Sequence, residues 1–267
     1  MNENATITPP TNAAVLELAG VAVAARRDPE TQVIEQIDWT VAAGDFWVIG
    51  GLHGSGKSDL LAMLAGLTRP QRGSYRLFSR EMSELPGDEL LAGRQRVGLV
   101  FDNGGRIFNH LTVTENIALP ARYHQQGTPE EINARVQALL EATELLPWAH
   151  QTPGSISRNW RQRVGLARAL ALQPEVLLLD NPLAGLDPRH VRWWMDFVAR
   201  LAAGDALTGG RPVTVIATTD DLRAWRKPGR LFATLHDGRW QTIGAMPEVN
   251  HDSAPMLREL LSTETGE

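Results

Sequence analysis

The chain of 267 residues contains no cysteine. That excludes disulfides, thiolate metal sites and cysteine nucleophiles. Apolar runs are short as well: none reaches the roughly 18 uncharged residues that read as a membrane span, so any membrane role requires a partner. A dominant charge is also missing. Twenty-six Lys and Arg stand against 31 Asp and Glu, a net charge of −5, so no strong field draws the whole chain to nucleic acid or to an anionic membrane. Met1 to Asn12 has no basic region followed by an apolar core, so it reads as part of a disordered tail, residues 1–14, rather than a secretory signal. What is present is ordinary globular composition, 43% hydrophobic and 21% charged. A chain of this length buries roughly 75% of its unfolded surface without a metal or disulfide staple.

The pattern mixes strands and helices. Val15–Leu18, Val33-Ile34 and Phe46–Ile49 are β-rich, Val97–Phe101 and Val176–Leu179 read as buried strands, and Val213–Ala217 as another. Ser58–Leu67, Pro129–Leu145, Val164–Leu172 and His190–Ala202 read as helices, the first stopped by Arg69-Pro70. Leu231–Ile243 is a hairpin around Asp237-Gly238, and Pro255–Leu261 a short helix. Buried strands alternating with helices imply an α/β fold with a largely parallel sheet, interrupted by a helix-rich stretch over about 102–165.

The strongest motif is Gly51-Leu52-His53-Gly54-Ser55-Gly56-Lys57-Ser58, which fits G-x-x-x-x-G-K-[ST] between a strand and a helix. Such a loop turns its amides towards phosphate oxygens, with a helix N-terminus behind it. Lys57 supplies a point charge, and the Ser58 hydroxyl suits Mg²⁺. Asp59 is unusual beside phosphates, although a helix N-terminus tolerates a carboxylate. The apolar strand Leu177–Leu179 ends in Asp180, a position suited to the Mg²⁺ shell.

Gly51–Ser58, Leu111–Pro120, Arg163–Leu170, Leu177–Asp180 and Ala184–Asp187 occur in the order found in ABC transporter ATP-binding subunits, and from Val15 to Val249 the chain resembles that family. The resemblance implies a P-loop NTPase core with a mostly parallel sheet, an N-terminal antiparallel β-subdomain and an inserted α-helical subdomain. The expected domain runs over 15–249, followed by a C-terminal helix and tail, 250–267. It also implies ATP and Mg²⁺ as ligands and a head-to-tail dimer, homomeric or heteromeric, with Ser157, Arg158, Asn159 and Asp187 at its interface. A transmembrane permease partner would hold the cytoplasmic chain against the inner membrane. Glu115–Pro120 is similar to ATP-binding subunits of Mla-type phospholipid systems. Nucleic acid is not an expected partner, since a basic face, zinc ligands and an inserted coiled coil are all missing.

Several positions depart from the family pattern. The usual signature Leu-Ser-Gly-Gly-Gln becomes Ile156-Ser157-Arg158-Asn159-Trp160, which puts side chains where glycines let backbone approach a partner's γ-phosphate. Asn181 replaces the Glu that polarises water, and an amide cannot take a proton at neutral pH. Thr219 replaces the switch His. Asp102 replaces the Q-loop Gln, where it could join the Mg²⁺ shell or repel phosphate. Ala25 replaces the aromatic that often stacks on adenine. The expectation is retained ATP binding with slow hydrolysis; losing a general base typically costs about 10²–10⁴-fold. An ATP-gated clamp without transport is the alternative. Trp193 and Trp194 read as packing residues, Trp160 as facing a partner, and Arg223–Arg230 as a solvated surface.

Overall fold

The computed structural model describes residues 13–245, except Arg106 and Pro228, together with 257 and 259–261. The expected N-terminal tail up to residue 12 and most of 250–267 therefore lie outside the described residues. β1 (Ala14–Ala25) begins within the stretch expected to be tail.

One ten-stranded sheet runs through the molecule in the order β5-β4-β1-β2-β10-β9-β3-β8-β7-β6. Its first part is antiparallel: β1 pairs with β2 (Asp28–Ala42) and with β4 (Arg72–Leu77), and β4 with β5 (Arg80–Glu81). The two long strands exceed the short β-rich runs read from the sequence, because polar residues such as Glu30, Thr31 and Glu35 occupy the exposed positions of β2 and mask the pattern. The second part is parallel: β9 (Leu231–His236), β3 (Phe46–Gly50), β8 (Thr214–Thr219), β7 (Val176–Leu179) and β6 (Val97–Val100). β10 (Arg239–Ala245) turns back along β9 through Asp237 and Gly238, whose φ values of 47° and 73° fit the tight hairpin expected there.

The parallel strands are buried almost throughout because both faces are covered, with β3 and β7 wholly apolar or glycine and the buried threonines confined to β8 and β9. Phe46 and Val48 of β3, and Leu177 and Leu179 of β7, point into one core cluster with Trp194, Phe197 and Val164. The alternate residues Trp47, Ile49, Val176 and Leu178 enter a second cluster with Leu60, Leu61 and Ile37.

α1 (Lys57–Leu64) ends three residues before the expected Leu67. Gly66, with φ of 68°, turns the chain before Arg69-Pro70 can act as the stop. α2 (Gly87–Gln95) was not evident in the sequence; it buries no residue, so it carries little apolar periodicity. Between β6 and β7 lie α3 (Val113–Tyr123), α4 (Pro129–Ala142) and α5 (Arg158–Leu170). α3 and α4 each open with a reciprocal capping box, Thr112 with Glu115 and Thr128 with Glu131. α6 (Pro188–Ala203) follows β7, with Asp187 capping the amides of Arg189 and His190.

Candidate nucleotide site

Parallel strands deliver their carboxyl ends to one edge, where ligands of open α/β sheets bind. Register fixes this edge: Gly50 pairs with Thr219, Leu179 with Ala217, and Val100 with Leu179. The residues that follow each strand therefore meet. The result is a cleft of about 200 Å³ lined by His53, Gly54, Ser55, Gly56, Lys57, Ser58, Asp59, Asp102, Asp180, Asn181 and Asp220. Sequence reading identified all of these except Asp220, which stands immediately after Thr219 and belongs to no motif that signals it.

The phosphate loop is shaped by two glycines. Gly56 sits at φ of 92°, a conformation that side chains resist, and lets the loop enter α1. At Gly51 a Cβ would meet the Leu235 carbonyl oxygen at 2.6 Å, so no larger residue fits without displacement. α1 has no side-chain N-cap, a feature shared with α2 and α5, whereas α3, α4 and α6 are capped. Its first amides are left to another acceptor, as at an anion-binding helix terminus. Lys57 is buried and folds back over the loop: its Nζ donates to the carbonyls of Gly51 at 2.5 Å and Leu52 at 2.7 Å. Burial pushes the Lys57 ammonium below the ordinary lysine range, while the carboxylates of Asp220 and Asp180 pull it back up.

Asp180 is held on two sides. Its Oδ1 accepts from Ser58 Oγ at 3.0 Å and from Thr218 Oγ1 at 3.1 Å. Thr218 Oγ1 also accepts the Asn181 amide at 3.1 Å, which fixes the turn after β7. Asn181 has φ of 44°, a left-handed conformation that Asn adopts more readily than Glu. Its side-chain amide donates to Asp220 Oδ2 at 3.4 Å. Thr219 Oγ1 is turned to its own loop, donating to the Asp221 carbonyl at 2.9 Å. Asp59 answers the question raised by its sequence position: its Oδ1 accepts the Arg26 amide at 2.8 Å and ties the β1–β2 turn to α1.

The remaining sequence-derived positions lie outside the cleft lining, and Arg158 reaches it through Asp102. Ser157 precedes α5, and its side chain makes no capping bond. Arg158 Nη2 donates to the Ala184 carbonyl at 3.1 Å and lies 3.8 Å from Asp102 Oδ1. Asn159 Nδ2 donates to Asp187 Oδ2 at 2.8 Å. The backbone amide of His190 is the main cause holding the Asp187 carboxyl below its usual range. Trp160 is half-buried, with its ring 5.7 Å from Trp148 and 5.2 Å from His190 of the same chain. The expectation for Trp193 and Trp194 agrees with the structure: Trp194 is buried, and Trp193 stacks on Phe197 at 4.7 Å. Arg223–Arg230 is not all solvated surface, since Arg230 is buried over the Phe46 ring at 4.4 Å.

These residues fit a Mg²⁺-bound polyphosphate. The loop offers uncapped amides and a buried ammonium, and the Ser58–Asp180 pair offers a hydroxyl and a carboxylate at the loop's end. Among the described residues, no three acidic or histidine side chains are gathered to hold a metal alone.

The family described as ABC transporter matches residues 34–184, more than half of the chain. The chain belongs to the ABC transporter family. Among ABC relatives, it is 36% identical over 225 residues to the sulfate/thiosulfate import ATP-binding protein CysA of Synechococcus elongatus, covering 84% of this chain and 61% of that protein. It is 33% identical over 217 residues to the energy-coupling factor transporter ATP-binding protein EcfA1 of Geobacillus kaustophilus, covering 81% of this chain and 74% of that one. The ABC cassette fold is seen in the dimeric ATP-binding cassette MJ0796, solved in a post-hydrolysis state bound to ADP and Pi. That structure superposes with a TM-score of 0.74 at 28% identity, covering 85% of this chain and 98% of that chain. The mixed sheet, parallel at its core and antiparallel in its N-terminal strands, is thus that of an ABC-type P-loop cassette.

Proposed function

We propose that this chain is the ATP-binding subunit of an ABC transporter complex, which binds Mg²⁺-ATP at Gly51–Ser58 and hydrolyses it slowly. The observation that carries the reading is the Lys57 ammonium held over the carbonyls of Gly51 and Leu52, beside the Ser58–Asp180 pair. A phosphate would replace those carbonyls as the acceptor of Lys57. Mg²⁺, when bound, would supply charge neutralisation to the phosphates. Ser58 and Asp180 would hold it, with Asp102 as a further candidate on the opposite wall. The loop amides bind and orient the phosphates.

The two positions where the family pattern puts its Glu and its switch His offer no group to take the proton of an attacking water, although Asp102, Asp180 and Asp220 line the same cleft. Asn181 is an amide already donating to Asp220, and Thr219 bonds its own loop. The proposed role in transport is binding-driven association with a membrane permease and a second ATP-binding subunit, identical or different. Support comes from the import and energy-coupling roles for which CysA and EcfA1 are named and from the dimeric MJ0796 cassette. Fluorescence titration with a labelled ATP analogue, with and without Mg²⁺, tests the binding. Saturation that Lys57→Ala shifts to higher concentration supports it, and equal affinity in wild type and variant would refute it. Co-purification of a polytopic membrane protein tests the assembly, and its consistent absence would count against a transporter role.

A further inference from the structure

The two residues that stand in place of the family's signature glycines both reach the loop Ala184–Asp187 of the same chain. Arg158 Nη2 donates to the Ala184 carbonyl at 3.1 Å at one end of that loop. Asn159 Nδ2 donates to Asp187 Oδ2 at 2.8 Å at the other. The loop is shaped to receive them: at Gly185, φ 65°, a Cβ would lie only 2.7 Å from Arg158 Nη1. The same Arg158 Nη2 is 3.8 Å from Asp102 Oδ1, and Asp102 lines the phosphate cleft. One guanidinium thus touches both the cleft wall and the loop.

We infer that Arg158 and Asn159 are positioning residues forming a clasp that fixes the Ala184–Asp187 loop of their own subunit and links it to the cleft through Asp102. The substituted signature then has a use in cis, where glycines could make no side-chain contact. Relative strengths set the direction of coupling. A charged hydrogen bond to a carbonyl is the stronger contact, whereas an exposed ion pair at this separation is weak and yields readily to competition. A cation arriving in the cleft competes with Arg158 for Asp102 and loosens the cleft end first, leaving the loop end engaged. This consequence for nucleotide rests on the reading above; the clasp itself does not.

Hydrogen exchange of the nucleotide-free protein tests it. The Ala184 and Leu186 amides donate to Asn181 and Leu183 carbonyls, so their exchange reports opening of the loop. Arg158→Ala should speed exchange at both by about 10-fold or more, the loss of one charged hydrogen bond. Asn159→Asp, which sets a carboxylate against Asp187, should speed it too. Asp102→Asn should do so by about two- to fivefold, the range of an exposed pair, without touching the loop. Exchange in Val176–Leu179 serves as the control that the fold is intact, and Arg158→Lys replaces Arg158→Ala if that control moves. Unchanged loop exchange in the Arg158 and Asn159 variants would overturn the clasp. A response to those variants but not to Asp102→Asn would overturn the link to the cleft, because a purely structural anchor ignores Asp102. No arm contains nucleotide, so a failure of ATP binding would defeat the proposed function and leave the clasp to be judged by these rates.

Discussion

The cleft has two walls built by different means. The phosphate-loop wall is written mostly in backbone: a glycine at φ of 92°, uncapped amides of α1, and a lysine held by main-chain carbonyls. The rest of the lining, Asp102, Asp180, Asn181 and Asp220, is written in side chains, with Arg158 reaching it through Asp102. The first keeps the family pattern and the second departs from it at Asp102 and Asn181. Binding of phosphate needs mainly donors and space, whereas hydrolysis needs a proton acceptor at one point. A chain can therefore lose the second capacity and keep the first.

That contrast can be broken most forcefully at Lys57. Lys57→Ala should weaken Mg²⁺-ATP binding by about 10- to 100-fold, since a charge-assisted bond to phosphate contributes about 1.5–3 kcal/mol. Titration with a fluorescent analogue measures this, and a residual affinity near wild type would place binding elsewhere. Next comes Gly51→Ala, whose added methyl would press on the Leu235 carbonyl at 2.6 Å. Overpacking of this kind costs about 1–3 kcal/mol, so both the thermal midpoint and nucleotide affinity should drop. Gly154→Ala, with nothing within 4 Å, is the neutral control. Equal midpoints in the two variants would show that the loop is not built around close backbone approach.

A smaller effect concerns pH. Burial lowers the Lys57 ammonium below the ordinary lysine range, and nucleotide favours the charged form. Affinity should hold at neutral pH and fall as pH rises through that lowered value, before ordinary lysines titrate. The sign for stability is opposite: a lysine with a depressed folded value penalises the fold while charged, so this contribution improves across the same alkaline window. A flat affinity profile up to the range of free lysine would contradict the assignment. The smallest effect is expected for Asn181→Glu. The position is left-handed at φ of 44°, which disfavours Glu, and Thr219 is unchanged. Phosphate release should rise by less than about threefold, well short of the 10²–10⁴ typical of a general base. A gain of that full size would show that one side chain accounts for the loss.

The legibility of the sequence follows the same division. The parallel core was readable because strands such as Val176–Leu179 are covered on both faces and consist of apolar residues alone. The Asp237-Gly238 hairpin was readable from turn chemistry. Long β2 and exposed α2 were not, since the first half of β2 is exposed and polar and α2 buries no residue. At the site, backbone motifs announced themselves through fixed spacing. Asp220 was missed because it reaches the cleft through the register of β8 and not through a motif. The partners of Arg158, Asn159 and Asp59 were equally hidden, because each bond joins segments 26 to 33 residues apart.

The central claim is that this cleft holds Mg²⁺-ATP without readily consuming it. The direct test saturates the isolated protein with Mg²⁺-ATP, quenches it over minutes and measures the nucleotide in the protein-bound fraction. The account predicts intact ATP in wild type and a depleted fraction in Lys57→Ala. Accumulation of ADP at about one per second or faster, within the ordinary range of enzyme turnover, would contradict it.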